Sequence, residues 1–418
     1  MERSRAAVAV TLALLAPAPA VSSVPAERSS YVVALAPGAG DPAVVAAEQA
    51  AALGFGVDHV YRAALTGYAA DLTPAALAAL RSDPRVMAVQ ADRPVVRTAA
   101  VMPVGIDRID ADLSVTAGID GADRPRVNAD VAVLDTGIDQ DHPDLNVAGG
   151  HNCAKGRGYD DRLGHGTHIA GIVGAIDDGT GVVGVAPGVR LWAVRVLDEE
   201  GRGTTRELLC GVDWVTGTRL DNDPGNDIDV ANLSLGGEGG DDGSCGQADG
   251  DLLHQAICRS VAAGVTYVVA AGNDSADAVH YTPAAYDEVI TVSALADSDG
   301  RPGGLGGPPS CRDDADDSLA NFSNYGVDID LIAPGVCILS TVPVDGRVPN
   351  REPGYGILTG TSFAAPHVAG AAALWLAGLS GAGPAQVRQA LVAAGSADWD
   401  AAEDLDGTKE PLLDVEPF

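Results

Sequence analysis

Residues 360–370, GTSFAAPHVAG, open an alanine-rich apolar run that continues to Trp375. The run AAPHVAGAAALWL is hydrophobic on every side, which predicts a helix buried all round rather than one lying at a surface. Ser362 then stands at the positive end of the helix dipole, with Gly360 and Thr361 just before it. Taken alone, a serine at that place reads as an N-cap. A catalytic reading needs partners from elsewhere in the chain, so the remaining sequence decides between the two.

The chain has 418 residues, 46% of them apolar, which is enough for a large core and more than one domain. Its net charge is -32 and its pI near 4.3, which excludes a non-specific grip on nucleic acid or anionic lipid. Residues 1–20, MERSRAAVAVTLALLAPAPA, place two arginines before a short apolar run and small residues at Ala18 and Ala20. That layout is expected of a secretory signal peptide; the run is too short for a membrane anchor, and the product is expected outside the cell. Six cysteines, all from Cys153 onward and without a CxxC, favour disulfides in an exported protein. Sequential pairing, Cys153 to Cys210, Cys245 to Cys258 and Cys311 to Cys337, closes the shortest loops and is the expectation adopted.

From Ser30 to about Pro94 the pattern reads strand, helix, one or two strands, helix, strand: a small α+β unit with two helices on an antiparallel sheet. Residues 95–104 form a linker. Beyond it, VNADVAVLD, VRLWAVRVL, DVANLSLGG, VTYVVAAGN, VITVSAL and VDIDLIAPG are near-continuous apolar runs, and helical stretches separate several of them. Strands buried on both faces and alternating with helices predict an α/β architecture, a doubly wound, mostly parallel sheet over 105–418. Ligands bind such sheets at the carboxyl ends of the strands. Gly-, Pro- and Asp-rich insertions follow Gly237 and Ala296, each with a cysteine, and EPLLDV near the end reads as a last short strand.

Three residues fall at such edges. Asp135 ends the strand VAVLD, His165 opens the helix HGTHIAG, and Ser362 opens the helix described above. Singly they read as a turn aspartate, a capping histidine and a capping serine. Together they are the set that serine hydrolysis requires: a nucleophile, a base to take its proton, and a carboxylate to hold the imidazole. Asn273, directly after the strand VTYVVAAG, adds an amide that can donate to an oxyanion beside the Ser362 N–H.

The blocks DTGIDQDHPDL, GHGTHIAG, NLSLGG, VVAAGND and GTSFAAPHVAG, in that order, resemble the signature blocks of the subtilisin-like serine proteases. The resemblance covers about Gly105 to Gly395 and implies a triad of Asp135, His165 and Ser362 with Asn273 as oxyanion donor. It leaves His142, His168 and His367 structural. It implies that peptide substrates bind as an added strand between Gly201–Gly203 and Ser234-Leu235-Gly236, with Ala270, Ala271 and Gly272 lining a pocket for an apolar residue before the scissile bond. The run Asp198, Glu199, Glu200 lies nearby, either as a preference for basic residues or as a solvated loop. In the same type of protease the loop AIDDGTGVVGVAP holds structural calcium; transferred here, the ligands are the Asp144 and Asp178 side chains and the carbonyls of Ile176, Thr180 and Val182. Acidic residues 313–317 are a weaker cation candidate.

Residues 30–94 resemble the inhibitory propeptide of these proteases, which implies a folding aid and intramolecular inhibitor released by cleavage between Val96 and Met102. The expected product is a monomeric secreted serine endopeptidase of broad specificity. An exopeptidase of the same fold and a catalytically silent binding protein are the alternatives; the second would show a degenerate triad, and no position is lost here.

Overall fold

A computed structural model describes residues 29–91, 101–122, 127–344, 354–379 and 381–418; the expected leader and linker residues 95–100 lie outside them. The chain divides into two compact units between Val96 and Arg97. In the N-terminal one, β1 (Ser29–Leu35), α1 (Pro42–Leu53), β2 (His59–Tyr61), β3 (Gly67–Leu72), α2 (Pro74–Arg81) and β4 (Val86–Ala91) follow in order. The strands pair antiparallel as β2-β3-β1-β4. Each helix starts on a proline behind a capping side chain: Asp41 accepts from the Ala43 N–H and Thr73 from that of Ala76. Val33, Val45, Tyr68, Leu72 and Leu80 fill the core, and the one polar atom among them, the Tyr68 hydroxyl, donates to Gln49 at 2.6 Å.

The second unit begins with α3 (Val104–Arg108), β5 (Asp130–Asp135), β6 (Val147–Asn152), α4 (His165–Gly174), β7 (Arg190–Arg195), α5 (Thr205–Thr218), β8 (Val230–Leu233) and β9 (Gly237–Glu238). It continues with α6 (Leu252–Ala262), β10 (Thr266–Ala270), β11 (Tyr281–Thr282), β12 (Ile290–Ala296), β13 (Ser318–Leu319), β14 (Leu331–Pro334), β15 (Ile338–Thr341), β16 (Tyr355–Leu358), α7 (Thr361–Gly378) and α8 (Pro384–Ala394). Parallel strands run β14-β12-β10-β8-β5-β7-β6, and short β13 joins the end of β12 antiparallel. Every residue of β5, β10 and β12 is buried, because helices cover both faces. The period of two is plain in β5: Val131 and Val133 pack with Ile169 of α4 and Val368 of α7, whereas Ala132 and Leu134 pack with Val212 of α5 and Ile257 of α6. The expected α/β class and the small α+β unit before it are both present.

One expectation needs revision, and two elements went unread. Residues 147–152 form an edge strand that composition hides, since Gly149 and Gly150 are required there: a Cβ would lie 2.8 Å from the Trp192 ring at the first and 2.2 Å from the Ala193 carbonyl at the second. The hairpin of β15 and β16 also went unread. Conversely, EPLLDV is not a strand; Leu412 alone bridges Ile332 and Ser396, and Pro411 beside it has no N–H to extend a ladder. The cysteines pair in sequence order, Cys153–Cys210, Cys245–Cys258 and Cys311–Cys337, so the first insertion is tied to α6 and the second to the segment between β14 and β15. Buried Arg108 adds a second tie, with Asp297 and Asp317 both at 2.7 Å.

Candidate active site

Asp135 is the last residue of β5 and is fully buried, while His165 is the first residue of α4. The His165 Nδ1 lies 2.8 Å from Asp135 Oδ1, which also accepts the Thr136 N–H at 2.7 Å. Close packing allows this: a Cβ on Gly166 would stand 2.1 Å from the Gly137 carbonyl, and one on Gly137, at φ 110°, 2.4 Å from that of Tyr159. Burial alone would lower the His165 pKa, but the charge of Asp135, the bond to it and the charge of Asp161 outweigh burial, and the net shift is upward.

Asp161 was not singled out in the sequence, yet it organises this corner. Its carboxylate is buried and accepts from the Thr136 hydroxyl, the Leu163 and Gly164 amides, and the amide and hydroxyl of Thr167, all at 2.7–3.0 Å. A negative group set against the first turn of α4 matches the helix dipole and fixes the chain on both sides of His165. The only signal was an Asp four residues ahead of the HGT block.

Ser362 is the second residue of α7, and Phe363 beside it meets the His165 ring edge-on at 5.3 Å. The serine hydroxyl makes a long bond, 3.4 Å, to the Ser234 carbonyl rather than to the imidazole. Catalytic hydrogen bonds are often loose without substrate. Asn273 is exposed, and its amide orientation is fixed: Oδ1 accepts from the N–H of Thr361 at 2.8 Å and from its hydroxyl at 3.1 Å. The Nδ2 donors are thereby turned away from Thr361. Buried Asn324, also unread in the sequence, braces the loop by bonding the Ala271 carbonyl and the Asp274 and Ala276 amides.

A cleft of about 800 Å³ opens beside His165, walled by Gly201, Arg202 and Gly203 on one side and by Ser234, Leu235 and Gly236 on the other. Ala270 and Gly272 are not among its lining residues: Ala270 is nine-tenths buried in the sheet, and Gly272 lies beside Thr361 with its N–H on that hydroxyl at 3.2 Å. Glycine is needed at 272, where φ is 110° and a Cβ would fall 2.3 Å from Asn324. The Asp198 carboxylate accepts the Glu200 and Arg202 amides, and Glu199 and Glu200 are exposed, so the acidic run behaves as a solvated turn.

The three other histidines of the blocks are buried against backbone carbonyls: His142 with Gly354, His168 with Gly356, His367 with Phe363. Burial lowers the His367 pKa to about 4, so it stays neutral.

In the loop after α4, Asp144 Oδ2 accepts from the Val182 N–H at 3.0 Å and the Tyr355 hydroxyl at 3.2 Å, and Ile176 donates its N–H to the Asp144 carbonyl. Burial, with nearby Asp178 adding to it, pushes the Asp144 carboxyl up to about 6. Asp178 Oδ1 caps its own turn through Thr180.

The Subtilase family profile matches residues 128–408 and the Peptidase inhibitor I9 profile residues 30–97. Subtilisin DY of Bacillus licheniformis is 38% identical over 297 residues, covering 70% of this chain and 91% of that protein. An extracellular serine proteinase of Thermus sp. (strain Rt41A) is 37% identical over 367 residues, 86% of this chain and 78% of that protein. A crystal structure of a cold adapted subtilisin-like serine proteinase superposes with a TM-score of 0.56 at 32% identity, covering 76% of this chain and 98% of that one. The chain belongs to the subtilase family of serine proteases and carries a peptidase inhibitor I9 propeptide domain ahead of its peptidase domain.

Proposed function

We propose that Asp135, His165 and Ser362 act as one catalytic triad that cleaves peptide bonds through an acyl-enzyme. The observation that carries this reading is the 2.8 Å bond between His165 and a fully buried Asp135, beside the helix that presents Ser362. With Asp135 on Nδ1, the Nε2 lone pair is left to take the Ser362 proton as the hydroxyl attacks the carbonyl; the same proton is then given to the leaving amine. The Asn273 amide and the Ser362 N–H receive the negative oxygen. Water repeats the sequence and releases the acyl group. The substrate would lie as an added strand between Gly201–Gly203 and Ser234–Gly236, with an apolar residue preferred before the scissile bond.

Residues 30–94 serve as folding aid and inhibitor of this monomeric protease, released by cleavage in 95–104, with residues 1–20 directing export. Among the described residues no helix is long and apolar enough to cross a membrane. Calcium fits the loop after α4: a buried carboxylate raised by burial beside a second carboxylate is an uncompensated negative charge that a divalent cation relieves. Asp144, Asp178 and the carbonyls of Ile176, Thr180 and Val182 would hold it, and its part is to fix the loop rather than to react.

The test is labelling by a fluorophosphonate probe and digestion of casein, wild type beside Ser362→Ala. Labelling of the wild type alone, with internal cleavage of casein, is expected. No labelling would overturn the enzyme mechanism, and release of dipeptides and tripeptides only would favour an exopeptidase.

A further inference from the structure

Behind Leu253 of the cleft wall, a second cluster of metal-ligating groups is built from parts that the protease mechanism does not use. His254 lies in α6, next to Leu253 of the cleft wall, and is 1% exposed. Its Nε2 is 2.8 Å from Glu288 Oε2, and its ring stacks on Tyr286 at 4.0 Å with an interplanar angle of 2°. A carboxylate can only accept, so in the neutral ring Nε2 carries the proton and Nδ1 presents its lone pair. Nδ1 is buried and has no hydrogen-bond partner among the described residues. It faces two carboxylates, with Asp241 Oδ1 at 3.7 Å and Asp242 Oδ1 at 3.9 Å.

These distances are too long for hydrogen bonds. A lone pair turned toward two carboxylate oxygens is also a repulsive arrangement, which either a second proton on the ring or a cation lying between them relieves; the nitrogen resonances of His254 tell the two apart. Ligand atoms at about 2.0–2.2 Å from a tetrahedral zinc ion sit roughly 3.3–3.6 Å from one another, close to the spacing here. All three ligand atoms fall within 4.8 Å of each other. The partners are held by backbone donors: Asp241 Oδ1 also accepts the Gly243 N–H at 2.6 Å and its Oδ2 the Asp287 N–H at 3.0 Å, while Asp242 Oδ1 accepts the Ser244 and Gly246 amides at 2.8 and 2.9 Å, so a bound ion would share these oxygens with those amides. A histidine that donates one nitrogen to a carboxylate while offering the other is the usual outer-shell arrangement of a zinc ligand.

We propose that His254 Nδ1, Asp241 and Asp242 form a binding site for a zinc-class divalent cation, with Glu288 as the residue that orients the imidazole. Mixed imidazole and carboxylate donors select such a metal over calcium, which takes oxygen alone. The nearby Cys245 and Cys258 are joined to each other and supply no thiolate. The ion would pin the insertion after Gly237 to the start of α6, and so clamp the segment that runs out of the cleft from Ser234 to Glu238.

The experiment uses the full chain carrying Ser362→Ala, with calcium in excess so that oxygen-only sites are filled and with thiol titration showing the disulfides intact. Cobalt(II) is added and its visible absorption recorded; zinc binding is then followed by calorimetry and by the rise in thermal midpoint. One equivalent of tightly held metal is expected, lost in His254→Gln and Asp241→Asn, and weakened about 10–100-fold in Glu288→Gln. Because a variant can fail to fold, the wild-type His254 nitrogen resonances supply an independent reading: zinc should shift Nδ1 and leave Nε2 protonated. No uptake by the wild type, uptake that survives His254→Gln, uptake seen only after disulfide reduction, or an Nδ1 resonance indifferent to zinc would each overturn the assignment.

Discussion

The Ser234 hydroxyl donates to the main-chain carbonyl of Ser362 at 2.7 Å, in the place of a helical bond that cannot form. In a regular helix that carbonyl would receive the N–H four residues later, but that residue is Pro366. The residue after β8 therefore anchors the first turn of α7, and the Ser234 carbonyl in turn accepts the Ser362 hydroxyl. Removing the donor leaves a shielded carbonyl without a partner. Ser234→Ala is expected to cost about 1–3 kcal/mol of stability. Urea unfolding in a Ser362→Ala background, free of autolysis, measures it, and Ser234→Thr should restore most of the loss. A change below about 0.3 kcal/mol would show that water replaces the bond.

The ion pair at the site predicts a pH profile. His165 must be neutral to accept a proton, and Asp135 and Asp161 hold its pKa above the usual 6.5 against the opposing effect of burial. The acid limb of kcat/KM should therefore have its midpoint above 6.5. Asp135→Asn removes the largest raising influence and lets burial dominate, so the limb should move to lower pH while kcat falls. About 10^4-fold is the size of that fall, carried over from the same Asp-to-Asn change in the trypsin-type triad. The sign for stability is the reverse of that for activity: the pair's contribution is complete below the unfolded value near 6.5 and fades as pH rises through the raised folded value. A limb that stays in place in Asp135→Asn would mean that another group sets it.

What could be read in the chain, and what could not, follows the range of the forces involved. Strands such as Asp130–Asp135 were legible because burial on both faces dictates their composition one residue at a time. The family and its chemistry were legible because DTG, HGTH and GTSFAAP are contiguous. Asp161 and Asn324 were not, because a carboxylate or amide that braces a loop across a fold looks like any other loop residue until its donors arrive from distant positions. The edge strand at Gly149 and Gly150 was hidden for a related reason: its glycines answer to Trp192 and Ala193 on the neighbouring strand, which no local pattern announces. Asp241, Asp242 and His254 are the same case again, apart in sequence and brought together by an insertion that reads only as a Gly- and Asp-rich loop.

Asn273 should affect the rate and not the binding of substrate. Its Oδ1 is held by Thr361, so the amide donors keep one direction before and during the reaction. A preset donor stabilises charge that develops only in the transition state, and kcat carries the effect. Asn273→Ala is expected to lower kcat by about 10^2–10^3-fold, the range belonging to this donor in subtilisin itself, with KM changed less than threefold by our estimate of roughly uniform ground-state binding. A rise in KM with kcat unchanged would place Asn273 in substrate binding instead.

Calcium should act on lifetime more than on chemistry. The loop from Ile176 to Val182 joins α4, which begins with His165, to the segment leading into β7, and Asp144 reaches it through the Val182 amide. An ion bound only by the folded protein adds about 2.7 kcal/mol when present at 100 times its dissociation constant. Chelation should then shorten the half-life of thermal inactivation strongly while leaving the initial kcat of the surviving enzyme nearly constant. Asp144→Asn, which keeps the shape of the side chain but gives up its charge, should make the half-life insensitive to added calcium. A half-life that still lengthens with calcium in that variant would move the ion elsewhere, and an unaltered half-life in the chelated wild type would mean that the Tyr355 and Val182 bonds to Asp144 suffice to hold the loop.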